Sequence, residues 1–210
     1  MAIRSAILAL SLAWAAGAQE TAWRIDPLHS GAHYSVRHMM ISTVRGEFGG
    51  VNGSVVWDAK NPARSSIEAT IDCTTINTGT AKRDEELKGP EFFDIKKYPV
   101  MKFKSTKVEP AGTGKMKVTG DLTINATTRQ VVLNVEGPTG PVRDSRGREK
   151  IGASAAGRVN RKDFGIIWNE LMDSGGFALA DEVAITLDIE LIRNDPPTTT
   201  TPAKGASKGQ

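Results

Sequence analysis

Three kinds of side chain between residues 29 and 73 could do chemistry: histidine, serine and cysteine. His29 and Ser30 are adjacent, His33 follows four residues after His29, and Cys73 is the one cysteine of the chain. The histidine and serine permit a hydrolase, but the chain contains no G-x-S-x-G motif and no H-E-x-x-H motif. His29 and His33 would share one face of a strand and could ligate a metal, yet no acidic or cysteine partner stands at a familiar ligand spacing. We therefore expect neither a catalytic site nor a metal site.

Cys73 and His38 each allow more than one interpretation. A lone cysteine cannot form a disulfide within its own chain, so stability must come from the core. Cys73 could be a nucleophile or an intermolecular link, but free cysteine is among the most buried residue types, and we expect a small buried side chain at a strand end. His38 is either a core histidine with a satisfied partner, which we favour, or a donor to a polar group of a ligand.

The strands that would position these groups are indicated by alternation of apolar and polar residues. Residues 30–40 alternate strictly, which is the period of a half-buried antiparallel strand. One face of this strand carries Ala32, Tyr34, Val36, His38 and Met40. The next strand is interrupted by Gly46, Gly49, Gly50 and Gly53, as a strand that curls must be. A curled sheet favours a barrel, and a small barrel has an interior.

Most of the remaining chain shows the same alternation. The alternating segments are 67–72, 101–104, 116–124, 131–136 and 183–191. One apolar and one polar face per strand is typical of an antiparallel sheet. A short helical pattern covers 81–87 and is stopped by Gly89-Pro90. The pattern predicts an all-β, antiparallel, lipocalin-like barrel of about eight strands with a short helical segment, and a sandwich with a solid core is the alternative.

The two ends of the chain predict export and a flexible tail. Arg4, the apolar stretch 6–16 and the small residues at 16–18 are typical of a signal peptide, which we place at 1–18 and expect to be cleaved. A retained N-terminal anchor is the alternative. Residues 19–193 would then form one domain, and the Pro/Thr-rich residues 194–210 a disordered tail. We expect a periplasmic or secreted protein.

The charge of the chain argues against a nucleic-acid partner. The formal net charge of +3 comes from 27 basic and 24 acidic residues, which nearly balance. The basic residues between 96 and 117 do not form one stripe interleaved with aromatic residues. We interpret them as solvated strand faces, with weak attraction to an anionic lipid as the lesser alternative.

Short segments in a fixed order run through nearly the whole chain, from Trp23 to Ile192. They are WRIDP at 23–27, HS at 29–30, VRH at 36–38, VRGEF at 44–48, RD at 83–84, EFFD at 91–94, KYP at 97–99, FKST at 103–106, GDLTI at 120–124, TR at 128–129, NRKDFGI at 160–166, GG at 175–176 and DEV at 181–183. In this order they resemble the YceI-like family of bacterial polyisoprenoid-binding proteins, which have a lipocalin-like barrel. Asn125-Ala126 and 75–78 depart from the family's pattern in local detail.

The resemblance implies a non-enzymatic carrier of a long isoprenoid lipid, of polyprenyl or quinone type, with no other cofactor. Each methylene removed from water contributes about 0.8 kcal/mol, so a long tail binds without specific polar contacts. Other amphiphiles such as a fatty acid or fatty amide, a small hydrolase and a structural β module are the alternatives. Expected partners are the lipid itself and, transiently, a membrane or a membrane cytochrome, while a homodimer is an open alternative.

The strand phase selects candidate residues for the wall of such a cavity. They are Tyr34, Val36, Met40, Phe48, Ile71, Phe103, Met116, Leu122 and Trp168. Phe92 and Phe93, which follow the helical segment, would form a floor or gate, and His38 is the candidate polar contact. Arg83-Asp84 and Arg161-Asp163 are interpreted as structural ion pairs near the openings, with recognition of a lipid head group as the alternative.

Overall fold

The structure, a computed structural model, describes residues 21–173 and 175–194. The predictions of a signal peptide at 1–18 and of a disordered tail beyond Asn194 lie outside these residues. The strands are β1 (Thr21–Ile25), β2 (Gly31–His38), β3 (Ser42–Phe48), β4 (Val51–Trp57), β5 (Ser66–Asp72), β6 (Val100–Pro110), β7 (Lys115–Ile124), β8 (Thr127–Arg143), β9 (Glu149–Asn160) and β10 (Leu179–Arg193). One α-helix, α1 (Ala81–Lys88), and three short 3-10 helices complete the elements. Within the described ranges no helix is long and apolar enough to cross a membrane.

The ten strands form the eight long staves of a closed antiparallel barrel. β1 and β2 run end to end as the first stave, and β3 and β4 as the second, since β1 pairs with β4 and β2 with β3. From β4 each strand pairs with the next one along the chain as far as β10. β10 then pairs with both halves of the first stave, through Leu187 opposite Ala32 and Leu191 opposite Ile25. This ring confirms the predicted barrel and excludes the sandwich.

Glycines allow the second stave to bend where β3 gives way to β4. Gly50, between the two strands, has a φ of +62°, which an L-residue with a side chain adopts at a cost. Gly53 lies so close to β5 that an added Cβ would stand 2.1 Å from the carbonyl oxygen of Glu68. The glycines of the second stave therefore permit curvature and close approach of the backbones, as their spacing predicts.

The two ends of the barrel are built differently. Because the staves alternate in direction, the connections after β2, β5, β7 and β9 meet at one end. The connection 73–99 carries α1, and the connection 161–178 carries the loop that leads into β10. We call residues 81–98 the lid. The other end has shorter connections, such as 111–114 and 144–148.

Candidate functional site

The barrel encloses an apolar cavity of about 300 Å³. All ten strands contribute inward-facing side chains to its wall, together with the lid. Nearly all of these side chains are aliphatic, aromatic or methionine. The volume lies at the lower end of the range of ligand pockets, which is about 300–1,000 Å³. An interior of this kind accepts an apolar molecule and offers few hydrogen bonds to it.

Most of the residues selected from the strand phase meet in this cavity. Its lining includes Tyr34, Val36, Phe48, Ile71, Phe92, Phe93, Phe103, Met116 and Leu122. They come from five strands and the lid, so residues far apart in the chain share one wall. Their contact with a ligand remains a prediction.

Three predicted site residues lie outside the lining. The first stave ends at His38, because the backbone turns at Met39 and Met40 with φ values of 51° and 58°. The prediction that Met40 faces inward is therefore wrong, since its side chain is 65% exposed. His38, as the last strand residue, is half-buried and does not reach the cavity. Trp168 packs against Phe92 with ring centroids 5.4 Å apart and is not among the residues that line the cavity.

Tyr34 brings a polar group into the apolar wall. Its hydroxyl is buried, and among the described residues it has no hydrogen-bond partner. Gly46 stands opposite Tyr34 in β3, and a Cβ added there would come within 2.5 Å of the hydroxyl oxygen. Burial raises the pKa of Tyr34 to about 12, so the hydroxyl stays protonated at physiological pH and can donate a hydrogen bond.

The lid is held over its end of the barrel by aromatic packing and by hydrogen bonds. Phe93 meets Phe48 edge to face, with ring centroids 5.3 Å apart. The side-chain amide of Asn125, in the turn between β7 and β8, donates to the Phe92 carbonyl at 2.8 Å. These contacts tie Phe93 to the second stave and Phe92 to the turn that follows the fifth stave. The lid is therefore packed against the end of the barrel.

The N-terminal end of the lid is fixed by polar contacts. The Asp84 carboxylate accepts from the Thr78 amide at 2.8 Å and from its hydroxyl at 2.6 Å. Arg83 donates to the Thr78 hydroxyl at 2.9 Å and to the Thr80 hydroxyl at 3.1 Å. Both side chains therefore hold the start of α1 against the preceding loop, and this contact with Thr78 replaces the predicted Arg83–Asp84 pair.

Arg161 is a buried cation at the same end of the barrel. Its guanidinium donates to the carbonyls of Ala180, Ile166 and Trp168 at 3.0, 2.8 and 2.6 Å. The Asp181 carboxylate lies 3.3 Å away and supplies the counter-charge that was predicted from Asp163. Burial lowers the pKa of Arg161, and Asp181 opposes this effect. The side chain thus joins β10 to the loop that follows β9.

The histidine and acidic groups near residue 29 form an ion-pair network. His29 Nδ1 lies 3.0 Å from Asp26 and 3.6 Å from Glu190. These three groups are the one cluster in the described part of the chain that could hold a metal. However, the Lys150 ammonium already lies 3.4 Å from Asp26 and 2.5 Å from Glu190, so the carboxylates have a cation between them. His33 lies apart from this cluster, beside Glu47 and Asp188 at 3.8 and 3.9 Å.

Ser30 and Cys73 are bound into the fold. The Ser30 hydroxyl donates to the Glu190 carbonyl at 3.3 Å and accepts from the Glu190 amide at 3.0 Å. Cys73 is buried directly after β5, as its residue type predicts. Burial raises the pKa of its thiol to about 11, so it is a poor nucleophile at neutral pH. Both side chains therefore have structural surroundings, and the cavity is the best candidate for a functional site.

Known proteins share both the sequence and the fold. The UPF0312 protein of Vibrio parahaemolyticus is 34% identical over 161 residues, which cover 76% of this chain and 85% of the relative. Protein YceI of Escherichia coli O157:H7 is 34% identical over 159 residues, covering 74% and 82% of the two chains. The crystal structure of BcnA from Burkholderia cenocepacia superposes with a TM-score of 0.68 at 26% identity, covering 79% of this chain and 98% of BcnA.

A more distant structure extends the comparison of folds. The polyisoprenoid-binding domain from Saccharophagus degradans has a TM-score of 0.59 over 83% of this chain and 99% of its own. Its identity of 13% shows a common fold and no more. The family model described as the YceI-like domain matches residues 23–191, which is nearly all of the barrel. The chain therefore belongs to the YceI-like family.

Proposed function

We propose that this protein binds a long-chain isoprenoid lipid, of polyprenyl or quinone type, inside the barrel and transports or stores it in the periplasm. The observation that carries the proposal is the cavity inside the barrel, to which every strand contributes apolar side chains. Burial of a chain of methyl and methylene groups in such a cavity contributes about 0.8 kcal/mol per group. The lipid tail supplies most of the affinity, and the few polar groups of the wall select its head.

The choice of an isoprenoid over another amphiphile is supported by a protein of the same fold. The domain from Saccharophagus degradans is described as polyisoprenoid-binding. A binding role also fits the groups that could otherwise do chemistry, because Ser30 and His29 are engaged by Glu190 and Asp26. A fatty acid or fatty amide is the second candidate, since a single hydrogen-bonding group such as the Tyr34 hydroxyl suits an amide or carboxyl head equally well.

The test is native mass spectrometry of the protein purified from its own periplasm, followed by extraction and identification of the bound lipid. We expect one isoprenoid or quinone molecule per chain. A fatty acid or fatty amide bound at one molecule per chain would favour the second candidate ligand over the isoprenoid. A protein that is empty, and remains empty when offered polyprenyl lipids, would contradict a carrier function.

Two neighbouring alanines of β9 offer a matched pair of variants for the same measurement. Ala155 faces the cavity, whereas the next residue, Ala156, is exposed on the outer face. Ala155→Leu adds three carbons to the cavity wall, and we expect it to lower the amount of bound lipid at least tenfold through loss of space. Ala156→Leu adds the same carbons outside and should retain wild-type lipid. Equal lipid content in the two variants would show that the lipid lies elsewhere.

A further inference from the structure

Large apolar side chains are exposed mainly at the lid end of the barrel. Of the ten such side chains in the described part of the chain, six lie in the β2–β3 turn and in the loop before β10. They are Met39, Met40, Ile41, Ile167, Leu171 and Phe177, and we call them the apolar rim. The other four are Leu28 between β1 and β2, Val100 at the start of β6, and Val132 and Val142 in β8.

The two parts of the rim are joined by the backbone. The Met39 amide donates to the Ala178 carbonyl at 2.7 Å, which holds the β2–β3 turn beside the loop before β10. Leu171 and Phe177 pair across that loop in an isolated bridge. The rim is therefore one surface built from two loops that are more than 120 residues apart in the chain.

The sequence of the β2–β3 turn conflicts with its conformation. Met39 and Met40 are the two central residues of a turn that the Ile41 amide closes on the His38 carbonyl at 3.1 Å. Both have positive φ, and turns with positive φ at both central positions strongly favour Asn-Gly. Methionine is disfavoured there twice, because a Cβ is strained at positive φ and an apolar side chain is exposed to water. A local conflict of this kind is expected at functional sites, where the residue is kept for something other than stability.

The rim is continuous with the wall of the cavity. Ile166 lines the cavity while its neighbour Ile167 is 70% exposed, so adjacent residues of one loop serve the interior and the rim. Trp168, next in the chain, packs against Phe92 of the lid. Leu179, just after the loop, also lines the cavity. A molecule that leaves the cavity between this loop and the lid would therefore emerge at the rim.

We propose that the apolar rim inserts into the surface of a phospholipid bilayer and holds the lid end against it during lipid exchange, an inference that rests on the proposed function. A ligand with an apolar chain is dissolved in a bilayer and not in water, so a cavity of this kind must be filled at one. Two cations flank the rim, where lipid phosphates would meet them. Arg37 donates to the Met40 carbonyl, and Lys162 lies 5.6 Å from the Phe177 ring centroid.

Size and charge favour a bilayer over a second copy of the chain. A standard protein interface uses about 20–30 residues on each side, whereas the rim offers six large side chains on two loops. Glu170 and Asp173 lie in the same loop as Leu171, so the two cations do not give the rim a strong net charge. Insertion of the apolar side chains must therefore supply most of the affinity.

The test is co-sedimentation with vesicles of phosphatidylcholine and phosphatidylglycerol at about 3:1. Wild type and variants are all purified after export, so that the chains compared differ only at the substituted residues. The variant M39N/M40G has the sequence that the turn conformation favours, so its melting temperature should equal or exceed that of the wild type. We expect it to bind vesicles at least tenfold more weakly, since two apolar side chains are lost. The control Leu28→Asn removes a side chain that is more exposed than either methionine but lies elsewhere, and it should bind like the wild type.

Uptake of a fluorescent polyprenyl probe, measured in the same samples, separates this inference from the proposed function. We expect M39N/M40G to keep the equilibrium affinity for the probe but to take it up from vesicles about tenfold more slowly.

A wild type that takes up the probe without binding vesicles, or a double variant that binds vesicles as well as the wild type does, would overturn the docking role alone. Vesicle binding without any uptake would overturn the proposed function and, with it, the role of docking in lipid exchange, and would leave only the insertion of the rim. A concentration-dependent dimer that M39N/M40G abolishes, with no vesicle binding, would assign the rim to a second copy and overturn the inference.

Discussion

Two polar side chains at the lid end of the cavity, those of Tyr34 and Arg161, have opposite surroundings. Arg161 donates to three carbonyls and pairs with Asp181, so its charge is fully engaged by the protein. The Tyr34 hydroxyl is buried without a partner in the described residues, which costs about 1–3 kcal/mol. A ligand atom that hydrogen-bonds to this hydroxyl recovers that cost. Arg161 is therefore structural, and Tyr34 is the better candidate for recognition of a lipid head.

Tyr34→Phe tests this role because it removes the hydroxyl and keeps the ring. We expect the free energy of unfolding of the empty protein to stay equal or to rise by about 1 kcal/mol, since an unsatisfied group is lost. The affinity for an isoprenoid alcohol should fall about fivefold, whereas the affinity for the matching hydrocarbon should not change. Displacement of a fluorescent probe by the two ligands measures this. Equal losses for alcohol and hydrocarbon would show that Tyr34 acts by shape.

At the scale of the elements, curvature depends on glycines that lie beneath aromatic rings. Gly120 in β7 is covered by the ring of Phe103 in β6, and a Cβ there would come within 2.4 Å of the ring and 2.7 Å of the Lys104 carbonyl oxygen. The same arrangement joins Gly46 to Tyr34 on the other side of the barrel. An aromatic ring can lie flat on the wall only where the neighbouring strand has no side chain, so these pairs set the space left for a ligand.

Gly120→Ala should therefore be destabilising. We expect a loss of about 1–3 kcal/mol in the free energy of unfolding, because either the Phe103 ring or the β6 backbone must move. Gly49→Ala is the matched control, since its Cβ would meet nothing closer than 3.9 Å. Chemical denaturation of both variants measures the difference. Loss of the same stability in both would show that the contact with Phe103 is not responsible, since the lower entropy of the unfolded chain by itself favours alanine over glycine.

At the scale of the whole molecule, one seam closes the barrel, where the first stave meets β10. The Asp26 amide donates to the Glu190 carbonyl at 2.8 Å, and Ser30 binds both backbone groups of Glu190. Lys150 of β9 then links the carboxylates of Asp26 and Glu190 across the seam. Burial by itself would raise the pKa of Asp26, but hydrogen bonds from His29, the Leu28 amide and Lys150 outweigh it and lower the pKa to about 2. The ionised carboxylate thus stabilises the closed form.

The seam gives the protein a defined loss of stability in acid. Because the folded pKa of Asp26 lies below its ordinary value of 3.8, its contribution is fully present above about pH 4 and is lost as the pH falls toward 2. We expect this contribution to be of order 1 kcal/mol, since neighbouring solvent screens the pairs. Thermal unfolding between pH 2 and 5 measures it. Asp26→Asn should be less stable at pH 7 and should show a weaker slope, and an unchanged slope would contradict the role of Asp26.

The staves and the inner wall could be predicted from the sequence because the direction of a side chain in a strand is a local property. Tyr34 and Val36 alternate with polar residues, and both face the cavity. The same rule correctly places Ile71, Phe103 and Leu122. It fails at Met40, because alternation describes a strand only as far as the strand extends, and the chain turns after His38. Nothing in the residue types of Met39-Met40 indicates that turn.

The tertiary structure decided what depends on partners distant in sequence. β9 has no apolar alternation, since small residues such as Ala155 and Ala156 occupy both of its faces, and its place follows from pairing with β8 and β10. Arg161 pairs with Asp181, 20 residues away, instead of the nearby Asp163. The sequence by itself determined an all-β chain with an apolar inner face, because periodicity is encoded locally. Closure of the ring, the buried hydroxyl of Tyr34 and the assembly of the rim arise only when distant strands meet.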